Sequence, residues 1–327
     1  MKVDVLPDLT AVDAAVWNGL LARSAISSAF LSWEWQTAWA RAFAADRAVQ
    51  LLALRADDGS IAGLLPLYEE RDGCWRVVGG ADVSDYLDLI APAGTEEEAW
   101  HALLLHRAAH GVEWDLHAVR AVSPTARVLP RLASSVGLRA VAEVKDRCPV
   151  LKLPATWDAY LATLSGKDRH ELRRKMRKLE RELPGVTVRS HADVRGWDDA
   201  LGAFLALHRR SKVGKARFMD ERMEHFFRDA TSALVDRGWA RLWFLESDGV
   251  PVASFLCIEH GDSVGLYNSG FDPAHARLAP GIVLLAHVIR DAIERGVPVF
   301  DFLRGEESYK QDFGPSPETL LNIRILP

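Results

Sequence analysis

The chain has only three cysteines in 327 residues, Cys74, Cys148 and Cys257. They are far apart, and none stands in a CxxC pair or at metal-ligand spacing, so a disulfide framework and a thiolate metal site are both excluded. Reduced thiols buried as small apolar groups are the expectation, and no metal is expected. A long apolar run is also missing. The longest, around Ala279 to Ile289, is interrupted by His287 and ended by Arg290 and Asp291, which is too short to span a bilayer and reads as a buried helix. The opening MKVDVLPDLTAVDAAVW places Asp4, Asp8 and Asp13 where a signal peptide needs an unbroken apolar core, so a cytoplasmic protein is expected. Nor is there an excess of positive charge: 40 Lys and Arg against 45 Asp and Glu leave a net charge of −5. That balance argues against a surface made wholly for nucleic acid, and DNA is not an expected partner; any anion site must be local. With 49% hydrophobic and 26% charged residues and no biased tract, the chain is globular rather than disordered.

What is present has a repeating order. In LSWEWQTAWARAF, Leu31, Trp35, Trp39 and Phe43 make one apolar helical stripe. Strand-like runs follow at Val49 to Arg55, Ile61 to Tyr68 and Cys74 to Val78, separated by Asp57-Asp58-Gly59 and Asp72-Gly73 turns. DVSDYLDLIAP reads as a further strand, and a helix is expected from about Glu96 to His110. From Pro154 the texture changes, and Trp157 to Leu183 reads as one long helical stretch closed by Pro184-Gly185. Two more helices then lead into a second meander: Arg241 to Glu246, Val250 to Glu259 and Ser263 to Phe271. Pro280 opens a helix to about Arg295, and Val299 to Leu303 is a short buried strand. Helices, antiparallel strands, then a strand-helix-strand unit occur once in weaker form and once clearly. The expectation is an α/β (α+β) protein made by tandem duplication, with modules at 1–153 and 154–327.

The unit from Ser263 to Leu303 is where chemistry is expected. A loop that delivers Gly281 to a helix N-terminus offers free backbone N–H groups and the positive dipole end to an anion. Arg277 lies in that loop. Asn268, Ser269 and Gly270 could present backbone groups that polarise a carbonyl, with Gly270 permitting close approach of a ligand; the alternative is a glycine that merely ends a strand. Asp301, Arg304, Glu306, Tyr309 and Lys310 cluster just past the last strand of the unit, where open α/β sheets commonly bind ligands. Tyr309 could protonate a leaving group, Lys310 and Arg304 could hold phosphate or an oxyanion, and Asp301 or Glu306 could act as base or orient a cation. The alternative for each is a structural ion pair. His208 is the best histidine for a general base, since its ordinary pKa lies near neutrality, although packing explains a lone helical histidine equally.

Three further features concern the substrate. Asp85, Tyr86 and Asp88 could receive an amine or sugar hydroxyls, or simply cap a turn. Trp35 could stack on a sugar or fill the core. Between Lys167 and Arg181 there are eight Lys or Arg against three Asp or Glu; Arg169, Arg173 and Arg177 form a row on that helix which could grip phosphates or be a solvated face.

The segments SWEW, SDYLDLI, LSGKDRHELRRKMRKLER, ALHRRSK, SGFDP, LAPGIVLLAHVI and, most specifically, FDFLRGEESYKQDFG resemble the CelD-type, FemAB-related acyltransferases of the GNAT superfamily. The resemblance covers nearly the whole chain. It implies two GNAT-like modules with a cleft between them, the acceptor side in the first and the acyl donor in the second. It further implies transfer of an acyl group from acetyl-CoA or another acyl-CoA to an amine or hydroxyl of a sugar-containing or cell-envelope precursor. One departure is evident: the GNAT pyrophosphate loop reads Arg/Gln-x-x-Gly-x-Gly/Ala, whereas here Arg277 is followed by Pro280, Gly281 and Ile282, leaving a single expected glycine. That keeps two alternatives open, the aminoacyl-tRNA donor of FemAB enzymes and a catalytically silent module of an exopolysaccharide or lipid assembly system.

Overall fold

The computed structural model describes residues 1–305 and 307–327. It is a mixed α/β protein that divides into two compact units. The first comprises Met1–Arg147 with Glu318–Pro327, the second Cys148–Pro317. In chain order the elements of the first stretch are β1 (Lys2–Leu6), α1 (Ala14–Leu21), α2 (Trp33–Phe43), β2 (Val49–Arg55), β3 (Ile61–Arg71), β4 (Cys74–Val77), α3 (Glu96–His110), β5 (Glu113–Arg120), α4 (Pro124–Ser135) and β6 (Arg139–Lys152). Helices α5 (Trp157–Thr163) and α6 (Gly166–Glu182) follow, then β7 (Val186–His191), α7 (Trp197–Ser211), α8 (Val213–Phe218) and α9 (Glu221–Asp236). The chain ends with β8 (Ala240–Ser247), β9 (Val250–His260), β10 (Ser263–Phe271), α10 (Pro280–Glu294), β11 (Val299–Asp301) and β12 (Ser316–Leu326). Among the described residues no helix is long and apolar enough to cross a membrane.

The two units repeat one plan. In the first, β1, β2, β3 and β4 pair antiparallel in succession, β4 runs parallel to β5, and β12 closes antiparallel on β5. In the second, β7, β8, β9 and β10 pair antiparallel, β10 runs parallel to β11, and β6 closes antiparallel on β11. A parallel pair needs a crossover, and one helix supplies it each time, α3 in the first unit and α10 in the second. The hairpins follow from their turn residues. At Asp248-Gly249 both residues have positive φ, 48° and 79°, the twist that a two-residue connection between antiparallel strands requires. Helix α3 has Glu96, Glu97 and Glu98 in its first turn, Arg107 and His110 in its last, and Gly111 in the left-handed region at its C-terminus, so its charges oppose the helix dipole at both ends. The second unit's core joins Leu172 and Leu179 of α6, and Leu183 just after it, to Val283, Leu284 and Ile289 of α10 and Phe255 of β9.

Several expectations change. The stretch 157–183 is two helices rather than one: the chain turns extended at Leu164 and Ser165, and the Ser165 side chain caps α6 by accepting from the Asp168 N–H at 3.1 Å. DVSDYLDLIAP forms no named strand; it is buried irregular backbone that touches β3 through one bridge, Ile90 to Leu64. The division of the chain also differs from 1–153 and 154–327, because residues 318–327 belong with the first unit. Strand β12 was not legible in the sequence: its register sets Leu320, Ile323 and Ile325 against β5, all three buried, and Arg107, itself 1% exposed, donates to the Ile325 carbonyl at 3.1 Å. All three cysteines are free and buried, as a structural role requires.

This arrangement makes β12 part of the first unit's stability. Deleting 318–327 should strip β5 of one neighbour and orphan the Arg107 guanidinium. Amides of β5 are then expected to exchange about tenfold faster or more while those of β9 change little. Hydrogen exchange read by mass spectrometry checks this, and uniform behaviour of both strands would refute it.

Candidate functional site

The second unit gathers its polar chemistry where β10 loses regular pairing. The register against β9 shifts between Leu266 and Asn268, leaving Tyr267 as an extra residue, a bulge of the kind that re-aims side chains at functional sites. Just beyond it, Gly270 lets α7 approach. A Cβ at 270 would sit 2.5 Å from the His208 nitrogen and 2.7 Å from the Leu207 carbonyl carbon, so any side chain there would push the helix off the strand. The close approach that Gly270 permits is therefore to α7 and not to a ligand.

That contact sets His208 against β10. It is 1% exposed, lies between Phe204 and Phe218 at ring distances of 5.8 and 6.3 Å, and its Nε2 is 2.9 Å from Asn268 Oδ1. Nε2 must donate to the amide oxygen, which leaves Nδ1 as the unprotonated nitrogen, and Nδ1 is buried without a partner among the described residues. Burial, with the positive charge of Lys215 beside it, lowers its pKa to about 4. His208 is neutral at pH 7.

Lys215 of α8 was not singled out by sequence reasoning; it is one lysine among the many cations of ALHRRSKVGKARF. The structure puts its ammonium on the Ser269 backbone carbonyl and, at 3.1 Å, on Ser269 Oγ. Burial, together with neighbouring Lys212, lowers its pKa to about 8, with Glu307 acting in the opposite direction. The signal that could have marked it is its place four residues after Ser211, the end of the helix that carries His208.

The segment after β11 turns sharply. Asp301, 8% exposed, accepts from the Leu303 N–H at 2.7 Å and so holds Leu303 at a φ of 54°, a left-handed conformation unusual for leucine. Lys310 completes the turn. It is 3% exposed, and its Nζ donates to the carbonyls of Phe302 at 3.1 Å, Arg304 at 3.0 Å and Gly305 at 3.1 Å, with the Glu307 carboxylate at 3.0 Å. An ammonium has three protons, and these partners saturate it. The expected role of Lys310 in holding phosphate or an oxyanion is thus corrected: it clamps the 302–305 turn. Tyr309 packs on the core, and burial together with Glu307 keeps its phenol protonated; among the described residues its hydroxyl has no hydrogen-bond partner. Arg304 is half-buried and contributes its carbonyl to the clamp. Glu306 lies outside the described residues.

Just past the end of β10, a 3-10 turn, Pro273–Leu278, leads to Ala279 at φ 50° and then into α10, whose first turn has no side-chain cap. The turn is strapped to α6: Lys178 donates to the Arg277 carbonyl at 3.0 Å and Arg277 pairs with Glu182 at 2.7 Å. Gly281 has open space around its Cβ position. Of the basic row, Arg169 turns back to the Leu161 carbonyl at 3.2 Å, whereas Arg173 and Arg177 are exposed and pair with no carboxylate among the described residues.

In the first unit the expected substrate residues are buried and employed in the fold. Trp35 is 0% exposed and donates to Ser84 Oγ at 2.8 Å, so it fills the core and offers no face to a sugar. Asp88 accepts from the Ser123 and Thr125 hydroxyls and, at 2.7 Å, from the Leu89 N–H, which ties the irregular segment to the start of α4; burial raises its pKa to about 6. Tyr86 is buried beneath the Arg120 guanidinium, 5.1 Å from its ring, and neighbouring Asp85 is buried as well.

Two outcomes separate structure from chemistry here. Lys310→Ala leaves three or more carbonyls and Glu307 unpaired inside the turn and should cost about 2–4 kcal/mol in urea unfolding. For His208 the folded pKa lies below the ordinary value, so the unfolded chain binds more protons between pH 6.5 and 4. Its contribution is full above about pH 6.5 and is lost as pH falls toward 4, on the order of 2–3 kcal/mol. His208→Gln should flatten that part of the stability profile, and an unchanged slope would show that another group titrates.

Residues 166–311, a little under half of the chain, match the family model described as an acetyltransferase (GNAT) domain. No curated protein sequence matches. Among solved structures, FemX is similar at a TM-score of 0.66 and 12% identity, covering 98% of this chain and 96% of its own. The C-terminal domain of a lysylphosphatidylglycerol synthetase from Agrobacterium fabrum gives 0.63 and 13%, covering 97% and 92%. L-PGS from Bacillus licheniformis gives 0.58 and 12%, covering 95% and 91%. These likenesses are of fold, and the family match assigns a GNAT-type acetyltransferase domain to residues 166–311.

Proposed function

We propose that the protein is an acyltransferase that moves an acyl group from acyl-CoA to an amine or hydroxyl of a sugar-containing or cell-envelope precursor. The observation that carries this reading is the start of α10. Within the stretch that matches the GNAT domain, a turn strapped to a basic helix delivers an uncapped helix N-terminus with room for a ligand at Gly281. Backbone N–H groups and the dipole there favour a diphosphate such as that of coenzyme A. Acyl transfer from a thioester also needs a polarised carbonyl, loss of a proton from the attacking group, and a proton for the leaving thiolate. The bulged strand around Asn268 and Ser269 is where the carbonyl would be polarised, and Tyr309, held protonated, is the donor to the thiolate. His208, neutral with a free Nδ1 lone pair, is the histidine suited to accept the proton of the attacking group. Its low basicity makes this demanding unless a bound substrate raises its pKa.

A second donor, aminoacyl-tRNA, is favoured by a specific feature: the exposed, unpaired Arg173 and Arg177 on α6 suit a polyphosphate backbone. The two donors differ in salt response. Binding of charged tRNA should weaken steeply with ionic strength, while acetyl-CoA should saturate with a shallower dependence.

Calorimetric titration with acetyl-CoA tests the first reading. Gly281→Asp places a carboxylate at the helix start and should lower affinity about tenfold, with an unchanged melting temperature because its Cβ meets nothing within 4 Å. Unchanged affinity would remove the site, and failure of the native protein to bind either donor would leave the silent-module reading.

A further inference from the structure

Several cations around α7 and in the segment after β11 are paired with carboxylates, and Lys215 is not among them. Arg209 pairs with Glu224, Arg210 with Asp272 at 2.9 Å, and Lys310 with Glu307 at 3.0 Å. Lys215 is half-buried in the same neighbourhood, yet no carboxylate of the described residues lies within salt-bridge distance, and both its hydrogen-bond acceptors belong to Ser269. Two of its three protons are thereby used. Among the described residues the third has no protein acceptor, and neighbouring His208 has a buried Nδ1 that also lacks a partner among them. A partly desolvated cation with no carboxylate in contact among the described residues is costly, and an incoming anion would reduce that cost.

We propose that Lys215 anchors an anionic oxygen, a carboxylate or a phosphate, on the molecule that accepts the acyl group. The assignment rests on the acyltransferase reading for the word "accepts": Lys215 comes from α8, outside the β10-to-α10 turn assigned to the donor's diphosphate, and sits on Ser269, where the thioester carbonyl would be polarised, so an anion it holds belongs to the molecule that meets the thioester. Ser269 fixes the ammonium through two contacts, so its remaining N–H is pre-aimed and little side-chain freedom is lost on binding. Facing groups set the charge it would meet: Lys212 adds positive potential, Glu307 offsets part of it, Arg209 acts on neighbouring His208 and is itself paired with Glu224, and His208 is neutral. Bound anion would favour the ammonium and raise the amine's pKa from its unliganded value of about 8. The acceptor is accordingly an acidic molecule, such as a uronic acid or a sugar phosphate, in preference to a neutral sugar.

Competitive labelling with acetic anhydride reads this directly, because only the unprotonated amine reacts. The native protein is labelled between pH 7 and 10 with no addition, and with glucose, glucuronate or glucose 6-phosphate. Acylation of Lys215 and of exposed Lys2 is then quantified by mass spectrometry. One or both acidic sugars should slow Lys215 labelling roughly threefold or more and move its midpoint upward, with glucose and Lys2 unaffected. Protection by glucuronate alone identifies a carboxylate, and protection by glucose 6-phosphate alone a phosphate. Equal effects of glucose, equal effects on Lys2, or no protection would overturn the proposal and leave Lys215 as a brace for Ser269. Acetyl-CoA titration of the same protein is scored separately. Donor binding without protection defeats the anion site alone, and protection without donor binding defeats the acyl-CoA reading alone.

Discussion

Backbone-to-backbone contact between α7 and β10 is the constraint on which the second unit's polar chemistry depends. A residue larger than glycine at 270 would collide with the helix at 2.5 to 2.8 Å. Because the colliding atoms are main chain, no rotamer change could relieve it. The contact sinks His208 into an aromatic layer, aligns it with Asn268, and carries the following α8 far enough for Lys215 to reach Ser269. Three consecutive residues of one strand, Asn268, Ser269 and Gly270, thus position a histidine, a lysine and a helix axis.

Two lysines in this unit illustrate how similar side chains come to different uses. Lys310 is surrounded by carbonyls and a carboxylate, and its charge is spent on holding a turn that contains a leucine in a left-handed conformation. Lys215 finds its hydrogen-bond acceptors among the described residues in one serine. An ammonium satisfied by protein acceptors is a structural part, whereas one left short of acceptors is a place where a ligand can supply them. The same contrast separates Arg277, tied to Glu182, from exposed Arg173 and Arg177, which pair with no carboxylate among the described residues.

Much of the fold was legible from local patterns. Apolar periodicity and turn residues located both meanders, α3 at Glu96–His110 and β10 at Ser263–Phe271, because those elements are defined by their own residues. The elements missed depend on distant partners. β12 has no turn to announce it and exists through pairing with β5, and the segment 83–91 is apolar enough for a strand but is buried without a ladder. The site divides in the same way. The positions of Arg277 in the turn and of Gly281 in the first turn of α10 are readable because helix starts are local. The employment of Lys310, Trp35 and Asp88 is decided by which backbone or hydroxyl groups tertiary packing brings near, and nothing in their sequence neighbourhood carries that information.

The sixth strand of the first unit lies beyond the second unit in the chain, and this has a consequence for synthesis. The ion pair of Arg324 with Glu113 spans 211 residues. During translation β5 emerges early and must wait, with one edge unpaired, until Ser316–Leu326 has been made. Contacts of such sequence separation form late and slowly, and a waiting strand edge is a template for wrong partners. The module made first is therefore the one completed last, and the second module, whose own sixth strand β6 precedes it in the chain, can close its sheet as soon as β11 has been made.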